Sequence, residues 1–218
     1  MSDVSCLLAG MTRLLFPFLL LWIWRRRTGA LLYPALVAFL VTVPVFVVAG
    51  GIRSGFSQDD FVLFHLQTGL LFGIFEEGGK YLALRYALES YDSRKNAVTY
   101  GIGHSIWEEI GAGVSCIGLI GTGNAAPDIF PVNLFFALFG AADAIALTVL
   151  IFYDIRTGRS KVMLPAAILL HALGNAVNGM FSFSLPIIAG FGVLLTAGMG
   201  YAAYRCWAAL RDPYADGA

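Results

Sequence analysis

Residues 72–85 read FGIFEEGGKYLALR and place two adjacent carboxylates, Glu76 and Glu77, inside a long apolar segment. A charged side chain at the centre of a bilayer costs at least about 2.5 kcal/mol, so charges in such a segment are typical of functional sites. Lys80 follows Glu76 by about one helical turn, and we expect it to neutralise one of the carboxylates. The stretch therefore predicts a membrane helix that carries a polar site.

The composition excludes a soluble domain. The chain has 218 residues, of which 58% are hydrophobic and 13% are charged, and its formal net charge is zero. Soluble domains average about 25% charged residues. We predict an integral membrane protein with no nucleic-acid partner, because no basic tract has interleaved aromatic residues. The three cysteines lack CxxC spacing and are expected to be small apolar fillers.

Seven apolar segments approach the roughly 20 residues that a helix needs to cross a bilayer. Their approximate bounds are 6–24, 31–50, 61–88, 97–120, 132–153, 162–180 and 185–207. The pattern predicts one all-α domain over residues 1–218, a bundle of about seven transmembrane helices. Its motif-bearing core is expected at about residues 61–181.

Basic residues alternate between the connections. They follow the first, third, fifth and seventh segments, whereas the other connections hold one arginine or none. Connections rich in Lys and Arg stay in the cytoplasm. We therefore predict a multi-pass protein of the cell (cytoplasmic) membrane, with its N-terminus outside and its C-terminus in the cytoplasm.

Two later segments repeat a spacing of four residues between polar side chains. One contains His104 and Glu108, and the other contains His171 and Asn175. Four residues span about one helical turn, so each pair shares one face of its helix. At 1.5 Å per residue, Glu76, His104 and His171 all lie roughly 13–15 Å from the basic ends of their segments. We predict that the three motifs meet in a single site.

The groups of this site suit hydrolysis. A desolvated Glu76 or Glu77 can take a proton from water and deliver it to a leaving amine. His104 and His171 can hold that water or stabilise an oxyanion, to which Asn175 can donate a hydrogen bond. The pattern predicts cleavage of an amide bond within the membrane.

Several acidic residues have structural alternatives. Glu77 is equally well explained as a structural group that bonds to Lys80 or to a neighbouring helix. Glu108 is expected to orient His104, and Glu109, which points elsewhere around the helix, is expected to face another partner. A helix-packing or substrate-path role is expected for Asp143, and Asn178 is expected to form hydrogen bonds between helices.

The three motifs, in this order, resemble the glutamic-type intramembrane proteases of the CaaX protease and bacteriocin-processing superfamily. That pattern is an EE pair, a Phe-x-x-x-His helix and a His-x-x-x-Asn helix. Here the chain has Glu76 and Glu77, then YGIGH at 100–104 with Tyr for Phe, then HALGN at 171–175. The EExxK form and the GIGH stretch are most similar to the YhfC-like and PrsW-like branches. The resemblance covers about residues 72–179.

The resemblance implies that Glu76 activates the water and that Glu77 supports it. It implies that His104 and His171 complete the site and that Asn175 helps to bind the oxyanion. Lys80, Glu108 and Tyr100 are expected to support these catalytic residues. The commoner pattern has Arg at the position of Tyr81. This chain departs from it, because its basic residue, Lys80, comes one place earlier.

The metal dependence of the site has two interpretations. Glu76, His104 and His171 would be adequate zinc ligands. The absence of HExxH spacing instead favours a site without cofactors. We expect an intramembrane endopeptidase without a cofactor that cleaves a membrane-embedded or membrane-anchored peptide, and zinc is the alternative. A proton-coupled transporter or a non-catalytic membrane scaffold would use the same residues differently, although no inverted repeat favours transport.

Overall fold

The computed structural model describes residues 2–124, 126, 128–158, 161–182 and 184–210. Over these ranges the chain forms seven α-helices and no β-strand, which confirms the predicted all-α bundle. The helices are α1 (Ser2–Thr28), α2 (Tyr33–Arg53), α3 (Phe61–Leu82), α4 (Arg94–Gly118), α5 (Ile129–Thr157), α6 (Met163–Met180) and α7 (Leu185–Ala209). A short π-helical turn, Ala83–Ala87, continues α3.

Several helices make this chain a multi-pass membrane protein. Within the described ranges, α1, α2, α5, α6 and α7 are long and apolar enough to cross a bilayer. The sequence predicts about seven such helices. The difference lies in α3 and α4, because the charged side chains of the site, among them Glu76, Glu77 and Glu109, lower the hydropathy of these two helices. The orientation of the termini stays a prediction.

Side-chain caps fix where α3 and α4 begin. The Asp60 carboxylate accepts a hydrogen bond from the backbone N–H of Leu63 at 2.9 Å. The Ser93 hydroxyl oxygen accepts one from the backbone N–H of Asn96 at 3.3 Å. Such caps satisfy backbone donors that a helix leaves free at its N-terminus. They therefore help to set the start of the two helices that carry the acidic motif and His104.

Helix α4 packs against α1, α2 and α5. Every residue from 96 to 106 is buried. A Cβ atom on Gly101 would lie 2.7 Å from the Cα of Ile145 in α5, and one on Gly103 would lie 2.4 Å from the Cα of Ala35 in α2. These glycines therefore let two neighbouring backbones approach α4 beside His104.

Helix α3 makes its most extensive packing with α6. A Cβ atom on Gly69 would lie 2.4 Å from the carbonyl oxygen of Ala172, and one on Gly73 would lie 2.6 Å from that of Ile168. Glycines spaced by four residues allow close helix contact in membranes, where there is little hydrophobic drive between helices. This contact holds the end of α3 that bears Glu76 against α6.

We expect Gly73→Ala to destabilise the protein because the new methyl group collides with the α6 backbone. Overpacking of this kind costs about 1–3 kcal/mol. Gly78→Ala is the matched control on the same helix, since a Cβ there meets no atom within 4 Å. Thermal unfolding in detergent should show a lower midpoint for Gly73→Ala than for Gly78→Ala. Equal midpoints would contradict the close α3–α6 packing.

Candidate active site

A hydrogen-bonded chain links α2, α4 and α3 through His104. The Thr42 hydroxyl donates to the carbonyl oxygen of Ala38 at 2.8 Å. Because that hydroxyl has one proton, its oxygen accepts from Nδ1–H of His104, also at 2.8 Å. In a neutral ring, Nε2 then carries a lone pair, and it lies 3.0 Å from Oε2 of Glu76. Thr42 thus orients the His104 ring so that the lone pair of Nε2 points towards the Glu76 carboxylate.

This arrangement fits a metal ion. An imidazole lone pair and a carboxylate oxygen 3.0 Å apart repel each other unless a proton or a cation lies between them. Glu76, His104 and Glu108 each offer one ligand atom, and these atoms lie within 4.8 Å of one another. Two ligands of one zinc ion, each about 2.1 Å away at a tetrahedral angle, are about 3.4 Å apart. The donor set and its spacing therefore suit a divalent metal.

A second chain of contacts links α3 to α6 through Glu77. Lys80 Nζ donates to Oε1 of Glu77 at 2.7 Å, and Nδ1 of His171 contacts the same oxygen at 2.6 Å. Glu77 and Lys80 are almost completely buried, with 0% and 1% of their side chains exposed. Nε2 of His171 lies 3.7 Å from Oε1 of Glu76. Glu77 therefore orients His171, and it bonds both to Lys80 and to a neighbouring helix.

A cavity of about 190 Å³ opens beside these two chains. Glu76 and Glu77 contact two residues of its lining, His104 and His171, and Asn175 follows His171 by one turn along the same lining. The predicted site residues that line the cavity are Lys80, His104, Glu108, His171 and Asn175. Motifs from α3, α4 and α6 thus come together around one space, which a membrane enzyme needs in order to hold water away from lipid.

The remaining predicted residues have different surroundings. Tyr100 is fully buried one turn before His104, and its hydroxyl has no hydrogen-bond partner among the described residues. Glu108, expected to orient His104, lies instead with it in the possible metal-binding group. Glu109 forms an ion pair with Arg13 of α1 at 2.8 Å. Asp143 and Asn178 both line the cavity.

Thr42 is the site residue for which the sequence gives no motif. It stands in α2, whose side chains are otherwise mostly apolar, and its hydroxyl looks like that of any threonine bonded to its own helix. The local signal in the sequence is a polar side chain within an apolar segment. Its contact with His104 depends on how α2 packs against α4.

Comparison with known proteins identifies a family that this chain matches. The model of a family described as YhfC intramembrane metalloprotease matches residues 12–126, slightly more than half of the chain. No curated protein and no solved structure matches the chain. The matched region contains Thr42, Glu76, His104 and Glu108 and ends before His171.

The expectation of a site without a cofactor is therefore wrong. The matching family is described as a metalloprotease, and a Glu–His–Glu group that could hold a metal is present. The HExxH criterion fails here because it demands two histidines on one helix. In this chain one possible ligand, Glu76, comes from α3, while His104 and Glu108 lie one turn apart on α4. In this group Glu108 stands where the sequence-based zinc set had His171.

Proposed function

This chain belongs to the YhfC intramembrane metalloprotease family and is an intramembrane protease, and we propose that it is a metal-dependent endopeptidase acting on membrane-embedded or membrane-anchored peptides. The observation that carries this proposal is the approach of Nε2 of His104 to Oε2 of Glu76 at 3.0 Å. Thr42 supports it by occupying the other ring nitrogen of His104.

Glu76, His104 and Glu108 are the residues that we assign to the metal. Zinc suits one imidazole and two carboxylates, and a catalytic zinc site has three protein ligands and one open position. The bound metal would supply Lewis-acid chemistry, polarising the scissile carbonyl and making water a stronger acid. Thr42 holds the His104 ring in the orientation that this requires.

In this proposal, Glu76 and His171 transfer the protons. Oε2 of Glu76 faces His104, whereas Oε1 lies 3.7 Å from Nε2 of His171. Oε1 takes the proton of the attacking water, and Nε2 of His171 carries it to the leaving amine. Glu77 holds His171 in place through Nδ1, as a buried carboxylate orients a catalytic histidine in other hydrolases. Asn175 donates a hydrogen bond to the oxyanion from the same face of α6.

We also propose the superfamily to which this chain belongs and the side of the membrane near which it cleaves. The order of the EE pair on α3, YGIGH on α4 and HALGN on α6 supports kinship with the CaaX protease and bacteriocin-processing superfamily. The basic connections support a cell-membrane protein that cleaves near the cytoplasmic leaflet. A map of the cleavage site on a reconstituted substrate tests the second point.

We expect the purified protein to contain metal in a stoichiometric amount and to lose activity when a chelator removes it. Metal analysis and a cleavage assay on a membrane-peptide library measure both, and added zinc should restore cleavage. His104→Ala should lower the metal content. His65→Ala is the control, because His65 contacts the rings of Phe61 and Phe64 away from the site. Undiminished cleavage by a metal-free preparation would overturn the proposal.

The same measurement tests the role of Thr42. Loss of a group that orients a metal ligand lowers metal affinity by about 10–100-fold, so Thr42→Val should bind metal more weakly by such a factor. Thr42→Ser keeps the hydroxyl and should retain the affinity. If valine and serine behaved alike, Thr42 would have a packing role only.

A further inference from the structure

The cavity beside the site has a polar wall and an apolar wall. The polar wall carries His104, Glu108 and His171 together with the ion pair of Arg13 and Glu109. Apolar residues of α5, α6 and α7 that line the cavity make up the apolar wall. We call the α5 part of it the phenylalanine wall, which consists of Phe135, Phe136 and Phe139.

The polar wall contains hydrogen-bonding atoms that the described residues do not satisfy. Nε of Arg13 and Oε2 of Glu109 have no partner among them, although only 13% and 3% of these side chains are exposed. An unsatisfied buried polar atom costs about 1–3 kcal/mol, and lipid offers it no hydrogen bond. Asn175 and Asn178 add carboxamides, which both donate and accept. Such a wall suits a ligand with free backbone N–H and C=O groups.

The rings of the phenylalanine wall line the cavity and contact one another. The rings of Phe135 and Phe139 stack at 4.2 Å between centroids, and those of Phe135 and Phe136 meet edge to face at 5.6 Å. Across from them, Gly192 of α7 has no side chain, and a Cβ there would lie 3.7 Å from Cζ of Phe135. The three rings are only partly buried, so they leave apolar surface for a ligand.

The phenylalanine wall lies at the level of the catalytic residues. Gly101 of α4 contacts Ile145 of the α5 helix, which packs beside it. Phe139 precedes Ile145 by about 9 Å along α5, and Glu108 follows Gly101 by about 10 Å along α4. Gly140, next to Phe139, is also close to Glu109, since its Cβ would lie 3.7 Å from Oε1. A side chain against the wall is therefore close to the bond that is cut.

We propose that the phenylalanine wall selects a bulky apolar side chain next to the scissile bond, while the substrate backbone lies against the polar wall. An extended segment has free backbone N–H and C=O groups that match the polar wall, whereas a helix satisfies these groups internally. The inference rests on the proposed protease function and adds the substrate class.

Peptide binding without cleavage tests the inference. The probes are short, capped, labelled apolar peptides that differ only at the central residue, either Phe or Ala. Their binding to the Glu76→Gln chain is measured in lipid nanodiscs. Empty nanodiscs give the correction for partition of the peptides into lipid. We expect the Phe peptide to bind about tenfold more tightly than the Ala peptide, as is typical of an apolar pocket.

Two variants address the pocket from opposite sides. Gly192→Leu fills the space in front of the phenylalanine wall and should remove the preference for Phe. Gly190→Leu is the matched control on α7, because a Cβ there meets no atom within 4 Å, and it should keep the preference. Phe139→Ala should weaken binding of the Phe peptide and leave binding of the Ala peptide unchanged. It therefore tests the pocket independently if Gly192→Leu does not fold.

The outcomes separate this inference from the proposed function. Equal binding of both peptides by the Glu76→Gln chain would overturn the inference, whether or not the parent chain cleaves. A Phe preference that Gly192→Leu and Phe139→Ala leave intact would also overturn it. A preference that both variants remove, in a protein whose parent chain neither binds metal nor cleaves, would support the cavity and overturn the protease mechanism.

Discussion

Glu76→Gln is expected to lower kcat/KM for peptide cleavage by at least about a hundredfold, the smallest contribution typical of a general base. Glutamine has nearly the same shape, so the 3.0 Å contact with His104 can be kept, but it cannot take a proton and is a poorer metal ligand. The fold should survive. Cleavage of a reconstituted peptide library and thermal unfolding measure the two effects.

Glu89→Gln is the matched control for this substitution. Glu89 is exposed after the π-helical turn, so its loss should leave both cleavage and stability near those of the parent chain. If Glu76→Gln cleaved as well as Glu89→Gln, Glu76 would be neither base nor ligand. If Glu76→Gln unfolded, its loss of activity would have a structural cause, and the role assigned to the carboxylate would fail this test.

The second large effect is expected on stability. Lys80→Met should destabilise the protein by about 3–5 kcal/mol, because it leaves the Glu77 carboxylate buried without its cation. Lys80 Nζ lies 2.7 Å from Oε1 of Glu77, and both side chains are almost inaccessible to solvent. Thermal unfolding in detergent, compared with the parent chain, measures the effect.

A double variant shows whether the cost comes from the unpaired charge. Glu77→Gln combined with Lys80→Met removes both charges and should recover most of the lost stability, since a buried pair contributes little beyond compensating its own desolvation. Cleavage should stay low, because His171 has then lost the carboxylate that holds its Nδ1. A single variant as stable as the parent, or a double variant no more stable than the single, would contradict this account of the ion pair.

Much of the fold and part of the site follow from local patterns. The seven apolar segments correspond to the seven helices of the described chain because the length of an apolar run and its turn residues are local properties. The spacing of four residues places His104 with Glu108, and His171 with Asn175, on single helix faces that line one cavity. The expectation of a site without a cofactor failed because the HExxH criterion looks for ligands on one helix, whereas the possible metal ligands here come from two helices.

Local sequence patterns are enough to predict polar faces at a common depth on α3, α4 and α6, since helical periodicity and rise depend only on the local chain. Which carboxylate meets which imidazole depends on how the helices pack. Glu76 and Glu77 are neighbours in sequence, yet one faces His104 and the other His171. Adjacent side chains point about 100° apart around a helix, so their partners depend on the helices packed on each side. The close contact at Gly73 holds α3 against α6, and the one at Gly103 holds α2 against α4, where Thr42 meets His104.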